Sequence, residues 1–164
     1  MRGSSEYSLV NPQDVNSSEK TGSETKPRVL VVDDDPRIRK TIFNVLCSEY
    51  DVTLVESGDR AVEIINQNPE FHVASIDMQM PGMSGIDTLK AFKKVSPTTE
   101  VLMLTAFSKV DYVKKALKYG AYDYIDKPFS NRILRLAVRK GVSRRERKTG
   151  AKKAEKQLAL VKAQ

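Results

Sequence analysis

From Arg28 onward, short unbroken apolar runs alternate with longer stretches whose apolar residues recur at helical spacing. Val29-Leu30-Val31-Val32 predicts a first strand over residues 28–33, and Asp35-Pro36 supplies a cap and a first-turn proline for a helix reaching about residue 47. Further strands are predicted over 51–56, 72–76, 100–104 and 122–126. Between them, Gly58 leads a helix with Ala61, Val62, Ile64 and Ile65 on its inner face, and a third helix carries Ile86, Leu89, Ala91 and Phe92. A fourth spans about 109–118 and stops at Gly120, and a fifth starts near Asn131 with Ile133, Leu134, Ala137 and Val138 as its packing face. Strands without polar alternation are buried on both faces, which is the mark of a parallel sheet. Five strand–helix units therefore predict an α/β fold, a doubly wound five-stranded parallel sheet with helices on both faces.

This pattern occupies residues 27–141. Residues 1–26 are rich in Ser, Asn, Glu and Thr without apolar periodicity, too polar to bury a core, and are expected to be disordered. Met1-Arg2-Gly3-Ser4 has the look of a vector-derived leader. Residues 142–164 form a basic tail. The net charge of +7 is concentrated towards this end of the chain: residues 132–164, which include the last helix, hold 12 Lys and Arg against Glu146 and Glu155, so the remainder is slightly acidic. Gly150 costs a continuous helix about 1 kcal/mol, which predicts a hinge or break. After it, Ala151, Ala154, Leu158 and Val161 recur as a short coiled-coil-like seam, too brief to be stable alone.

Cys47 is a lone cysteine, so an internal disulfide is excluded and a disulfide-stapled secreted scaffold with it. Its neighbours Ile42, Phe43, Val45 and Leu46 predict a buried structural thiol. No apolar run reaches membrane-spanning length and the N-terminus has no signal-peptide core, so a cytoplasmic protein without a membrane partner is expected.

The predicted strands end in chemically distinctive residues: Asp33-Asp34-Asp35, then Asp77, Thr105 and Lys127. In a parallel sheet these ends share one rim, the side on which open α/β folds bind ligands. Asp77 follows Val73-Ala74-Ser75-Ile76 and precedes a turn forced by Pro81-Gly82, with Ser84 placed to cap the next helix. Such a carboxylate can ligate a metal, act as a base, act as a nucleophile, or simply begin the turn.

Val32-Asp33-Asp34, Asp77-Met78-Gln79-Met80-Pro81-Gly82-Met83-Ser84-Gly85, Leu104-Thr105-Ala106 and Asp123-Tyr124-Ile125-Asp126-Lys127-Pro128-Phe129 together resemble the receiver domain of two-component response regulators. The likeness covers about residues 27–140, with the motifs in matching order. It implies the chemotaxis-regulator-like, flavodoxin-like strand order 2-1-3-4-5. It also implies a phosphorelay role, in which Asp77 accepts a phosphoryl group from a histidine kinase or histidine phosphotransfer protein. The cofactor implied is Mg²⁺ (or Mn²⁺), held directly by Asp34, Asp77 and the backbone carbonyl of Gln79, with Asp33 acting through water. Asp35 is expected to cap the first helix instead. Lys127 and Thr105 would bind the phosphoryl oxygens, Lys127-Pro128 would be a cis peptide bond, and Ala106 would leave room for the partner's imidazole. Thr105 and Tyr124 would be the switch pair, remodelling the face made by the fourth helix, fifth strand and fifth helix. Gln79 and Phe107 flank the site where members of the family tune hydrolysis. His72 is the only histidine and precedes a buried strand, so a structural role is expected and the donor histidine lies elsewhere. On this reading the chain is a self-phosphorylating and self-dephosphorylating receiver and not an enzyme with an outside substrate.

Two rival readings use the same residues. An aspartyl-phosphate hydrolase of the haloacid dehalogenase type wants a second acid two residues after its nucleophile, and Gln79 stands there. A nucleic-acid binder acting through the basic tail would want stacking aromatics or a helix-turn-helix, and the tail offers neither. A homodimer through the C-terminal helix, or through the fourth-helix/fifth-strand/fifth-helix face, is compatible with the pattern. The seam also resembles the coiled linkers that precede kinase or other output domains, which favours a receiver cut from a longer chain over a stand-alone one.

Overall fold

A computed structural model describes residues 25–106 and 109–163. The disorder expected of residues 1–26 falls almost entirely outside the described residues, as do the leader, Phe107 and Gln164. The elements run β1 (Arg28–Val32), α1 (Pro36–Leu46), β2 (Asp51–Val55), α2 (Gly58–Gln67), β3 (Val73–Asp77), α3 (Gly85–Val95), β4 (Glu100–Thr105), α4 (Val110–Lys118), β5 (Ala121–Asp126) and α5 (Asn131–Lys162). Every strand pair is parallel and the sheet order is β2-β1-β3-β4-β5, as the pattern and the resemblance predicted.

Alternation along each strand splits the core in two. Leu30 and Val32 face a cluster closed by α2, α3 and α4, while Val29 and Val31 face one closed by α1 and α5. The central strands β3 and β4 are buried along their whole length, whereas the edge strands β2 and β5 are partly exposed. Fully burying each large aliphatic side chain in these clusters stabilises the fold by roughly 1.5–3 kcal/mol.

Local chemistry sets where the helices start. The side chains of Asp35, Ser57, Ser84 and Ser130 each accept a backbone N–H of the helix they precede, satisfying donors that would otherwise be orphaned. Pro36 opens α1, as expected. The exception is α4: Lys109 at its N-cap makes no side-chain cap bond, and Ala116 is its one buried residue. It is the least firmly seated helix of the sheet.

Three expectations change. Ile133 is 52% exposed and Leu136 53%, because the inward face of α5 is set by Leu134, Ala137, Val138, Gly141, Val142 and Arg145. Helical residues advance about 100° each, which sets Ile133 just beyond the edge of the buried stripe that runs through Leu134, Ala137, Val138 and Gly141. Cys47 is only partly buried and Phe43 is exposed, because α1 ends at Leu46 and turns its Ile42/Val45/Leu46 stripe inward. Gly150 does not break α5, which continues to Lys162. Its neighbours are strong helix formers, and their summed propensity outweighs one glycine.

The inward packing of α5 does not stop at Gly141. Glu100, at the start of β4, is 1% exposed and takes ion pairs from Arg144 (3.8 Å) and Lys148. Arg145 pairs with Glu70 at 3.5 Å, and the Arg144 guanidinium lies over the Tyr122 ring. None of the described helices is long and apolar enough to cross a membrane.

Candidate functional site

The carboxyl ends of β1, β3, β4 and β5 converge on one rim. β3 ends in Asp77, and the chain then turns through Gly82, whose φ of 75° is the left-handed conformation that glycine adopts without strain. α3 begins so close beneath the strand end that a Cβ at Gly85 would collide with the Asp77 carbonyl and the Met78 backbone. The Met78 N–H donates to Leu104 O at 2.8 Å and the Gly85 N–H to Met78 O at 3.2 Å, fixing the loop on both sides. Asp77 is thereby held 7% exposed, in a crevice and not at a free turn.

Asp33 lies one residue past β1 and is completely buried. Its carboxylate accepts the Asp35 N–H at 2.9 Å and the Lys127 Nζ at 2.6 Å. Asp34 is exposed beside it, and one oxygen from each of Asp33, Asp34 and Asp77 can be gathered within 4.8 Å. Lys127 follows β5 directly. Its N–H donates to Thr105 O at 2.7 Å, its bond to Pro128 is cis as the resemblance implied, and its ammonium lies 3.2 Å from Asp77 Oδ1.

Electrostatics at the rim are set by two buried acids sharing one ammonium. Burial pushes the Asp77 carboxyl up to about 6; Lys127 opposes this and the Asp33 carboxylate reinforces it. Burial works against the charged form of Lys127, but the hydrogen bond to Asp33 and the charge of Asp77 outweigh it and hold the ammonium above its ordinary value. The acids outnumber the cation, so the crevice favours a further positive charge. Three carboxylates offering hard oxygen ligands from one side suit a small divalent cation that keeps part of its water shell.

The remaining residues singled out in the sequence fall as follows. Thr105 ends β4 and is 1% exposed, and Ala106 beside it is exposed. Gln79 is exposed next to Asp77, its N–H 3.5 Å from Asp77 Oδ1. Tyr124 is 38% exposed, outside the sheet core, in a shallow pocket with Phe129 and Ile133. Asp35 caps α1 and is engaged by the Arg37 guanidinium, which together with the Arg37 N–H holds its carboxyl at about 2. His72 accepts the Arg28 N–H at its Nδ1, 3.1 Å away, and so ties β1 to the start of β3, in keeping with a structural role.

Sequence reasoning missed Arg39, whose Nη1 donates to the carbonyls of Asp33 (2.7 Å) and Asp34 (3.1 Å) and so clamps the acidic loop. An arginine one turn inside a helix that follows an acid cluster was the available signal. Pairing of Lys127 with Asp33, closer than with Asp77, was also not foreseen. A cleft of about 460 Å³ adjoins the site between the β3–α3 loop and α4, lined by Met78, Met80, Ile86, Tyr112 and Lys115 among others.

Residues 29–139 match the response regulator receiver domain. The chain is 35% identical over 138 residues to the cyclic di-GMP phosphodiesterase of Thermotoga maritima, covering 81% of this chain and 37% of that protein. It is 36% identical over 114 residues to the two-component response regulator ORR3 of Oryza sativa subsp. indica, covering 68% of this chain and 87% of that protein. Among solved structures, the CheY-like receiver domain protein of Methanospirillum hungatei JF-1 superposes with a TM-score of 0.72 at 26% identity, covering 76% of this chain and 99% of that one. The chain belongs to the response regulator receiver domain family of two-component signalling.

Proposed function

We propose that the chain is a Mg²⁺-dependent phosphoacceptor whose acceptor is Asp77. The observation that carries this reading is the placement of the Asp77 carboxylate, buried at the end of β3, 3.2 Å from a fixed ammonium and within reach of two further acids. A carboxylate oxygen needs no base to become nucleophilic. It attacks phosphorus, the P–N bond of a phosphohistidine breaks, and the electron pair leaves with the imidazole nitrogen of the donor. The product is an acyl phosphate, which water later cleaves to inorganic phosphate and free Asp77.

Asp34, Asp77 and the Gln79 carbonyl would hold the cation directly and Asp33 through water, Mn²⁺ being an alternative. The cation would neutralise charge on the phosphoryl oxygens as they transfer. Lys127 and Thr105 bind those oxygens, and Ala106 leaves space for the donor ring. Thr105 and Tyr124 form the switch. The exposed Tyr124 ring turns inward as the hydroxyl moves towards the phosphoryl group, which biases the α4–β5–α5 face between two states. The donor is a histidine kinase or histidine phosphotransfer protein, and the proposed setting is the cytoplasm. The chain spans 37% of the phosphodiesterase that it matches, and the activity named there is not assigned to residues 27–141, for which we propose no outside substrate.

Intact mass after incubation with acetyl phosphate and Mg²⁺ tests the reading. One added phosphoryl group in the wild type, and none in Asp77→Asn or with chelator, is the expected result. Absence of both this adduct and a beryllofluoride complex would overturn it.

A further inference from the structure

We infer that the distal half of α5 is a self-association surface, and that its partner is the same seam on a second copy of this chain. The surface lies outside residues 29–139, the part that matches the receiver family.

α5 has two differently supported halves. Up to Thr149 it is fastened to the base of the sheet: Glu100 takes Arg144 and Lys148, Glu70 takes Arg145, and Val142 and Arg145 are buried. From Gly150 to Lys162 every residue is exposed, among them Leu158 (55%) and Val161 (63%). This stretch projects about 20 Å at 1.5 Å per residue. The segment buries none of its residues, and helices in proteins draw most of their stability from packing an amphipathic face, so its apolar side calls for a partner.

The charge pattern says which partner fits. With Ala151 and Leu158 at a positions and Ala154 and Val161 at d positions, the flanking e positions are Glu155 and Lys162 and the flanking g positions are Gly150 and Gln157. Lys152, Lys153 and Lys156 fall at b, c and f, turned away from the seam. Two copies can therefore meet along a/d without setting like charges against each other, despite the basicity of the helix. An acidic peptide or a nucleic acid would call for cations rimming the contact, and here they lie on the opposite side. A contact of about two heptads is small beside a standard protein interface, so a concentration-dependent monomer–dimer equilibrium is expected.

Sedimentation equilibrium of the full chain over a wide concentration range tests this. The wild-type mass is expected to climb towards twice the monomer value. Leu158→Glu with Val161→Glu should hold it at the monomer. Leu160→Glu is the control: Leu160 is 57% exposed but sits at c, so the same charge there should leave the dimer intact. Circular dichroism confirms that the variants stay helical. Asp77→Asn should dimerise like the wild type, which separates this inference from the phosphoacceptor reading. A monomer at every concentration would overturn it, and so would a dimer that survives both glutamates, which would assign association to another face such as that of Ile133 and Leu136.

Discussion

Lys127 holds Asp33 more tightly than Asp77, at 2.6 Å against 3.2 Å, although Asp77 is the residue at the end of β3. Asp33 is fully buried and anchors the ammonium, leaving the Asp77 carboxylate the less engaged of the two. A site with two buried acids and one cation is electrostatically frustrated in a definite direction. In chelator, Lys127→Met should lower stability by about 3 kcal/mol, the order expected when a buried charge loses its partner. Asp77→Asn removes the excess negative charge and should raise stability by about 1 kcal/mol. Urea titrations of both variants read the two signs. A stabilised Lys127→Met would contradict this account of the site.

Cation binding should separate from the folding role of the acids at Asp34. It is exposed, and no salt bridge involving it is found among the described residues. Asp34→Asn should therefore melt like the wild type in chelator. Saturating Mg²⁺ at about a hundred times its dissociation constant adds some 2.7 kcal/mol to any chain that binds it only when folded. Most of that increment should vanish in Asp34→Asn. Thermal melts with and without Mg²⁺ give the comparison directly.

The close approach of α3 to the end of β3 makes Gly85 a sharp test of the site's architecture. Gly85→Ala places a methyl group against the Asp77 carbonyl and the Met78 backbone, neither of which can yield as a flexible side chain would. A loss of about 2–3 kcal/mol is expected, the upper range for overpacking. Because the displaced atoms belong to Asp77 itself, phosphorylation by acetyl phosphate should slow as well. Gly150→Ala has open space around it and should be neutral or slightly stabilising.

Much of this was legible because parallel strands buried on both faces read as unbroken apolar runs, and what ends each run stands out. Asp77, Thr105 and Lys127 were found that way, each within one residue of its strand terminus. Partnerships across the fold were not legible. Lys127 and Asp33 are separated by 94 positions, and the sheet alone sets the length of their contact. Ile133 was misjudged because helical phase at a junction of adjacent apolar residues is decided by tertiary packing. Glu100 was read as the first residue of a strand, and its burial depends on cations of a helix much later in the chain.

His72 gives a pH dependence with a definite sign. Burial disfavours its charged form, with Arg145 adding to this, Glu146 and Glu70 opposing it and Arg28 adding slightly, so the imidazole sits below its ordinary 6.5 in the folded chain. Between the folded value and 6.5 the unfolded chain binds more protons, so this contribution to stability is complete above about pH 6.5 and is lost as pH falls. His72→Asn retains an acceptor for the Arg28 N–H without titrating. Wild type minus variant stability should fall on acidification from about pH 7 to pH 5. The difference cancels the opposite contribution of Asp77, whose raised value makes the folded chain the better proton acceptor in the same range. Chemical denaturation across that range, together with the imidazole titration by NMR, would expose a wrong sign.

Glu100 and Thr105 stand at opposite ends of β4, the first at the base beneath α5 and the second at the rim. At the rim the Thr105 carbonyl accepts the Lys127 N–H and Leu104 lies in register with Asp77. At the base Glu100 holds Arg144 and Lys148, so one strand runs from beside the candidate phosphoacceptor to the root of the projecting helix. Glu100→Gln keeps the shape but removes the charge that two cations share. Residues 144–149 should then lose protection from amide hydrogen exchange, and trypsin should reach Arg144, Arg145 and Arg147 sooner. Stability of the sheet should fall only modestly, because Arg144 and Lys148 are partly exposed and regain water once released. Binding of beryllofluoride should be unchanged, since the substituted group lies at the far end of the strand from the rim. Exchange rates at 144–149 that match the wild type would show that apolar burial of Val142 holds the helix root without the ionic contacts.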